Sequence, residues 1–268
     1  MNPYSSDPKR DFFNFSHTML NAWDAAVTAY GYTQGIAQSF IFKNGSVSLS
    51  VNTHNLNAGG PETDWNIYDA HSANLQLVGY FKLFGNTGKV RLLGFYNRSH
   101  GGDFRHYNQD SLNGRAFFDN THIYTTKFGG GIDLNYDLNE RSGLFLRYSM
   151  NDGLHEDYGY TQCDGSLNGG ASIGMKVIRR PYDRLGICAS VNTISALHQQ
   201  YLKAGGIGFM VGDGTLHYAP ETVFESYYSL DLLQHVYITF DYQYAMNVGY
   251  NADRGDAHFL GVRLNLTL

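Results

Sequence analysis

The residues best able to do chemistry in this chain are not gathered into a catalytic set; they recur at every second position of alternating segments. Lys127, Asp133, Arg147, Lys176, Glu225, Asp241 and Arg263 take the polar side of such segments, as do Lys82 and Arg91. Asn135, Gln243 and Asn265 lie between them, and Tyr227 and Tyr237 share that side. Donors and acceptors of both signs beside an aromatic ring suit a hydroxyl-rich solute, because polar groups match its hydroxyls and a ring face matches its C–H side. Alternatively, the charges pair with one another and hold a wall together. Covalent chemistry finds little support. His155 stands beside Glu156 and Asp157, and His198 near Ser195, but both sets fall in loop-like sequence without a nucleophile motif. None of the 11 His has His-Glu-x-x-His spacing. Gly205-Gly206, Gly208 and Gly212-Asp213-Gly214 lack the Lys-Ser/Thr of a phosphate loop. No catalysis, metal or cofactor is expected.

The positions above share a side only if their segments are strands. In Asp256–Leu268, His258, Leu260, Val262, Leu264, Leu266 and Leu268 oppose Ala257, Phe259, Gly261, Arg263, Asn265 and Thr267. Val236, Ile238, Phe240, Tyr242, Tyr244 and Met246 likewise oppose Tyr237, Thr239, Asp241, Gln243 and Ala245. The alternation returns at 185–192, 167–177, 144–151 and 127–136, with further candidates at 89–98, 70–84, 46–53 and, least regular, 28–41. Such runs exceed the usual five or six residues of soluble strands and match the roughly 9–11 of a tilted membrane strand.

Composition agrees. Charged residues make up 16% and aromatics 15%, with 21 Tyr, 17 Phe, 31 Gly and 5 Pro, yet mean hydropathy is −0.34. No run approaches the roughly 18–20 apolar residues of a spanning helix. Short polar turns at 43–45, 85–88, 139–142, 179–182 and near Leu233-Gln234-His235 alternate with long stretches at 54–69, 99–121, 151–162, 196–218 and 247–255. That asymmetry marks outer-membrane barrels, whose closure gives every backbone polar group a partner in hydrocarbon. The expected fold is an all-β, antiparallel transmembrane β-barrel, one domain over 1–268, with about eleven strands. The stretch 196–218 either folds inward to narrow a path or stands as an ordinary external loop. A soluble sandwich or propeller is the other architecture such composition allows, but no blade-length repeat is present.

An odd strand count conflicts with the even number of bacterial single-chain barrels. Residues 1–27 are therefore expected to be the tail of an external loop, with a helical turn between Asp11 and Asp24 and with upstream strands missing; a further strand within 1–27 is the alternative. The opening Met1-Asn2-Pro3-Tyr4-Ser5-Ser6 has no charged and apolar leader, so a secretion signal is expected to be absent or removed. The net charge of −5 provides no basic stripe for nucleic acid. Cys163 and Cys188 are expected to be free. A turn near Pro181-Tyr182 would set Cys188 opposite Met175, roughly 40 Å from Cys163 at ~3.3 Å per residue.

On these residues the chain resembles the carbohydrate-selective porin family of the OprB type. The carrying stretches are Gly143 to Gly153, Tyr201 to Phe209, Gly212-Asp213-Gly214, Tyr218 to Glu221, Glu225 to Tyr228, Asp241-Tyr242-Gln243 and Tyr250 to Gly255. A weaker match runs through Asp11 to Phe15, Ala22-Trp23-Asp24 and Gly31-Tyr32-Thr33. The resemblance implies a barrel of about 16 strands in the bacterial outer membrane that passes glucose, related monosaccharides and small oligosaccharides by diffusion. In such a barrel the alternation itself turns Arg147, Glu225, Asp241, Arg263, Lys127, Lys176, Tyr227 and Tyr237 toward the pore, with outer-membrane lipid around it and room for a homo-oligomer. Leu268 departs from the terminal aromatic common in such barrels. A general porin without sugar preference, or a polysaccharide export channel, would share the architecture; export would favour a uniformly charged lumen, whereas both signs mix here.

Overall fold

The computed structural model describes residues 2–109, 114–118, 123–159, 161–233 and 236–266. Antiparallel strands dominate: β1 (Gly35–Phe42), β2 (Gly45–Asn55), a two-residue β3 (Thr63–Asp64), β4 (His71–Leu83), β5 (Asn86–His100), a small β6–β7 pair (Asn108–Gln109 with Ala116–Phe117), β8 (Tyr124–Asn139), β9 (Ser142–Asn151), β10 (Gly165–Gly174), β11 (Arg184–Thr193), β12 (Glu221–Leu233), β13 (Val236–Met246) and β14 (Ala257–Leu266). The main sheet runs β1-β2-β4-β5-β8-β9-β10-β11-β12-β13-β14, with β3 added to β2. Its end strands β1 and β14 do not pair with each other among the described residues, so the sheet does not close on itself.

β1 is exposed along its whole length, but strands such as β9 and β13 are polarised, and in the sense opposite to a soluble sheet. Along β9, Leu144, Leu146, Tyr148 and Met150 are exposed, whereas Phe145, Arg147, Ser149 and Asn151 are buried. Along β13, Phe240 and Tyr242 face out while Thr239 and Asp241 are buried. Aliphatic side chains turn outward, and the charged and amide groups turn toward the protein.

Connections are short at one end of the strands and long at the other, but the turns differ in detail from the sequence expectation. The β4–β5 turn sits at Phe84-Gly85, both with positive φ (49° and 86°), one step before 85–88. β1 begins at Gly35 and not near 28. Gln234, His235, Thr267 and Leu268 lie outside the described residues. β10 ends at Gly174, and a 3-10 turn at Lys176–Ile178 follows, capped by Arg179 with φ 64°. That longer connection changes the register: Cys188 lies opposite Gly170, not Met175. Cys163 and Cys188 are then separated by roughly 23 Å at ~3.3 Å per residue rather than 40 Å. Both are free and buried, and burial pushes the Cys163 thiol up to about 12. Maleimide is expected to modify neither until the protein is denatured, which intact mass measures; fast labelling of the folded protein would contradict this packing.

Residues 2–28 do not stand off the sheet as an external loop. They form a strap laid across its polar face, with one helical turn, α1 (Phe15–Thr18), between Asp11 and Asp24. The strap has few internal backbone hydrogen bonds, so its carbonyls are met by side chains of the sheet. Arg147 donates to His17 O at 2.8 Å, Asn168 to Ser16 O at 2.8 Å, and Asn97 to Asp24 O at 2.7 Å. Phe12 packs edge-on against Phe145 and Tyr227, with Tyr4 completing an apolar knot beneath the strap. Gly143 makes this approach possible, since a Cβ there would lie 2.2 Å from the Tyr4 ring.

Candidate functional site

Three charge clusters join the strap to the sheet. Cross-strand register creates the first, because Asp133 lies opposite Arg91 on β5 and Arg147 on β9. Arg91 reaches the Asp133 carboxylate at 3.3 Å, and Arg147 reaches it at 3.6 Å. From the strap, Asn2 Nδ2 donates to Asp133 at 2.7 Å, and Arg147 donates to Ser5 Oγ at 2.5 Å and Ser6 Oγ at 2.8 Å. Arg147 is thus a five-donor fork divided between a carboxylate and the strap.

Glu225 on β12 centres the second. It accepts from Phe13 N at 2.5 Å and Asn14 N at 3.1 Å, and its Oε2 lies 2.8 Å from His17 Nδ1. His17 Nε2 faces Ser190 Oγ at 3.2 Å, which fits a neutral ring with its proton on Nδ1. Beside it, Gln243 accepts from Asn14 and donates to Asp241. In the third cluster, Lys127 on β8 is fully buried, bonded to Asp157 and 3.5 Å from Asp24. Asp24 in turn accepts from Tyr158 N at 3.1 Å and Gly159 N at 2.9 Å.

Of the residues marked from sequence, Lys127, Arg147, Glu225, Asp241 and Tyr227 are buried where strap and sheet meet. Tyr227 is 1% exposed, with Phe12 against its ring, so its face is not free for a solute. Tyr237 is half-buried with the Arg10 guanidinium 3.9 Å above its ring. Arg263 donates to Pro8 O and Asp11 O across Phe13, and Asn265 to Lys9 O. Lys176 is a correction: it sits exposed in the 3-10 turn and not on the polar face of a strand. Lys82 is exposed near the β4–β5 turn. Sequence reasoning missed Asp11, Phe12, His17 and Asp24 as partners. Their signal was the density of rings and carboxylates in Asp11-Phe12-Phe13-Asn14-Phe15 and Trp23-Asp24, unusual for a solvated loop.

At the long-loop end, stretch 196–218 holds a helix, α2 (Ala196–Lys203), N-capped by Ser195 and followed by Gly205 at φ 88°. Tyr201 and Leu202 pack with Phe104, Ile194, Leu216 and Tyr250, so several loops share one small core. Charged groups tie the same loops. Burial raises the Asp103 carboxyl, but hydrogen bonds from Arg105 outweigh it and hold the group at about 2. Burial also raises Asp164, yet the hydrogen bond from His198 leaves it below the ordinary carboxylate range. Asp157 is pushed well up by burial, against the pull of Lys127.

The family model described as carbohydrate-selective porin, OprB family, matches residues 2–268. No curated protein matches the chain significantly. Among solved structures, the chain is similar to the high pH structure of Pseudomonas putida OprB, with TM-score 0.65 and 16% identity. The match covers 86% of this chain and 58% of that one, so the fold is shared over a little more than half of the longer protein.

Proposed function

Because this chain belongs to the carbohydrate-selective porin, OprB family, we propose that it supplies part of an outer-membrane barrel of about 16 strands that passes glucose, related monosaccharides and small oligosaccharides by diffusion. One observation carries the membrane reading: the inverted strands, with Leu144, Leu146 and Tyr148 outside and Arg147, Ser149 and Asn151 inside. An exposed aliphatic surface of that extent is stable against lipid and not against water. Leu146→Arg is therefore expected to destabilise the vesicle-inserted protein by about 2–4 kcal/mol if it lies near the bilayer midplane. Urea titration in phosphatidylcholine vesicles measures this; an unchanged midpoint, or a monomer soluble without detergent, would sink the membrane assignment.

In this reading, the strap narrows the path, and the polar face acts on solute mainly by holding the strap. Arg147 and Glu225 are positioning residues. The aromatic platform expected of Tyr227 and Tyr237, whose rings are covered by Phe12 and Arg10, passes to rings on the strap, of which Phe15 is 68% exposed. A porin does no covalent work; radius and lining select the solute. Single-channel conductance with glucose and then maltooligosaccharides in the bath tests this. Concentration-dependent block supports a sugar path, and block weakened by Phe15→Ala supports the platform. Conductance indifferent to sugar would leave a general porin, and inserted protein without conductance would remove the channel.

A further inference from the structure

Asp157, Asp164 and His198 bring one ligand atom each to within 4.8 Å of one another, and all three residues are buried. They come from two stretches of chain, the β9–β10 connection and α2. Asp157 belongs to the β9–β10 loop, Asp164 immediately precedes β10, and His198 lies on α2. Part of each carboxylate is accounted for. Asp157 Oδ1 meets Lys127, and Asp164 Oδ2 accepts from Ser195 N at 2.8 Å and faces His198 Nδ1 at 3.1 Å. The second oxygens, Asp157 Oδ2 and Asp164 Oδ1, are buried without a hydrogen-bond partner among the described residues. One orphaned, buried carboxylate oxygen on each acid of the cluster is a large uncompensated cost, since such groups are normally paired, protonated or metal-bound.

The local charge points the same way. Lys127 is the cation in contact with this group, and Asp24, Asp157 and Asp164 all act on it. With all three ionised, the carboxylates would outnumber the one ammonium by two charges in a buried place, an excess that a divalent cation or a proton on Asp157 would relieve. Two carboxylate oxygens and one imidazole nitrogen form a mixed donor set that suits Zn²⁺ or Mn²⁺ better than Ca²⁺, which prefers oxygen alone. We propose that Asp157, Asp164 and His198 bind a divalent transition-metal ion that pins the β9–β10 loop and α2 together at the long-loop end of the sheet. The site lies apart from the strap's contacts with Arg147 and Glu225, and it does not depend on which solute the protein passes.

The rival occupant is a proton on Asp157, and the experiment separates the two. Protein refolded into detergent, stripped with EDTA and dialysed, is titrated with ZnCl₂ and with MnCl₂ by calorimetry, and its bound metal is counted by mass spectrometry of the elements. The expected result is one ion per chain, a Tm that falls on stripping and returns with metal, and binding weakened at least ~10-fold in Asp157→Asn and in His198→Ala. Asp157→Asn keeps an oxygen toward Lys127, so it guards against simple misfolding, which circular dichroism checks in both variants. A wild-type chain that binds no stoichiometric metal and keeps its Tm through EDTA would overturn the site in favour of the proton. Equal binding by wild type and both variants would overturn it in favour of another location.

Discussion

Glu225→Ala is expected to raise single-channel conductance at least about 2-fold and to weaken sugar block, because the strap loses its central anchor. Glu225 accepts from two strap amides, Phe13 N and Asn14 N, and faces His17 Nδ1 at 2.8 Å. Alanine has no acceptor to offer, and a buried donor left unmet costs about 1–3 kcal/mol each. A water in the vacated space would meet those donors less well than the carboxylate does, so the strap is held less firmly. Lifting is opposed by the Phe12 contacts with Phe145 and Tyr227 and by Arg147 on His17 O. Arg147→Ala should therefore move conductance in the same direction, and the two substitutions together should exceed either alone. Glu225→Gln should fall between, since its amide retains an acceptor oxygen but turns an NH₂ toward the strap's donors. Hydrogen exchange over residues 2–28 is the companion measurement. Wild-type conductance with wild-type protection in Glu225→Ala would show that the strap does not set the path.

Lys127→Met is expected to cost about 3–5 kcal/mol of stability, measured as urea unfolding from vesicles. The ammonium is fully buried between Asp157 and Asp24, and methionine would fill much of its volume while leaving both carboxylates without their cation. Removing one partner of a buried pair costs more than the pair itself contributes, because the remaining charge stays desolvated. Asp24 also holds Tyr158 N and Gly159 N, so the damage should reach strap and loop together. Adding Asp157→Asn to Lys127→Met should recover part of the loss. A change below about 1 kcal/mol in the single variant would show that this cluster is solvated in practice.

Much of this molecule can be read from local pattern. Strict alternation in β9 and β13 assigns each side chain a face, and the β1–β2 turn falls at Lys43-Asn44 as expected, although Gly45 already belongs to β2 and neither turn residue takes the positive φ of an Asn-Gly hairpin. Lys176 shows where locality fails: the alternation of 167–177 continues on paper, yet the chain leaves the sheet after Gly174 and turns through a 3-10 helix. A strand ends where its neighbour ends, and that is a fact about two segments. The same reason displaced Cys188 from Met175 to Gly170. The strap was legible only as unusual composition. Its place is set by groups distant in sequence, such as Asn2 on Asp133 and Phe13 on Glu225.

By itself, then, the sequence determined the period of two, the greasy and polar sides of each strand, and the alternation of short and long connections, because these depend on neighbours within a few residues. Tertiary structure decided that the polar side is covered rather than open. It also decided that Arg147, Glu225 and Lys127 spend their charges on residues 2–28 and on Asp157, and that Asp157, Asp164 and His198 meet. Those outcomes follow from burial, which forces each desolvated charge to find a partner wherever the fold brings one within reach.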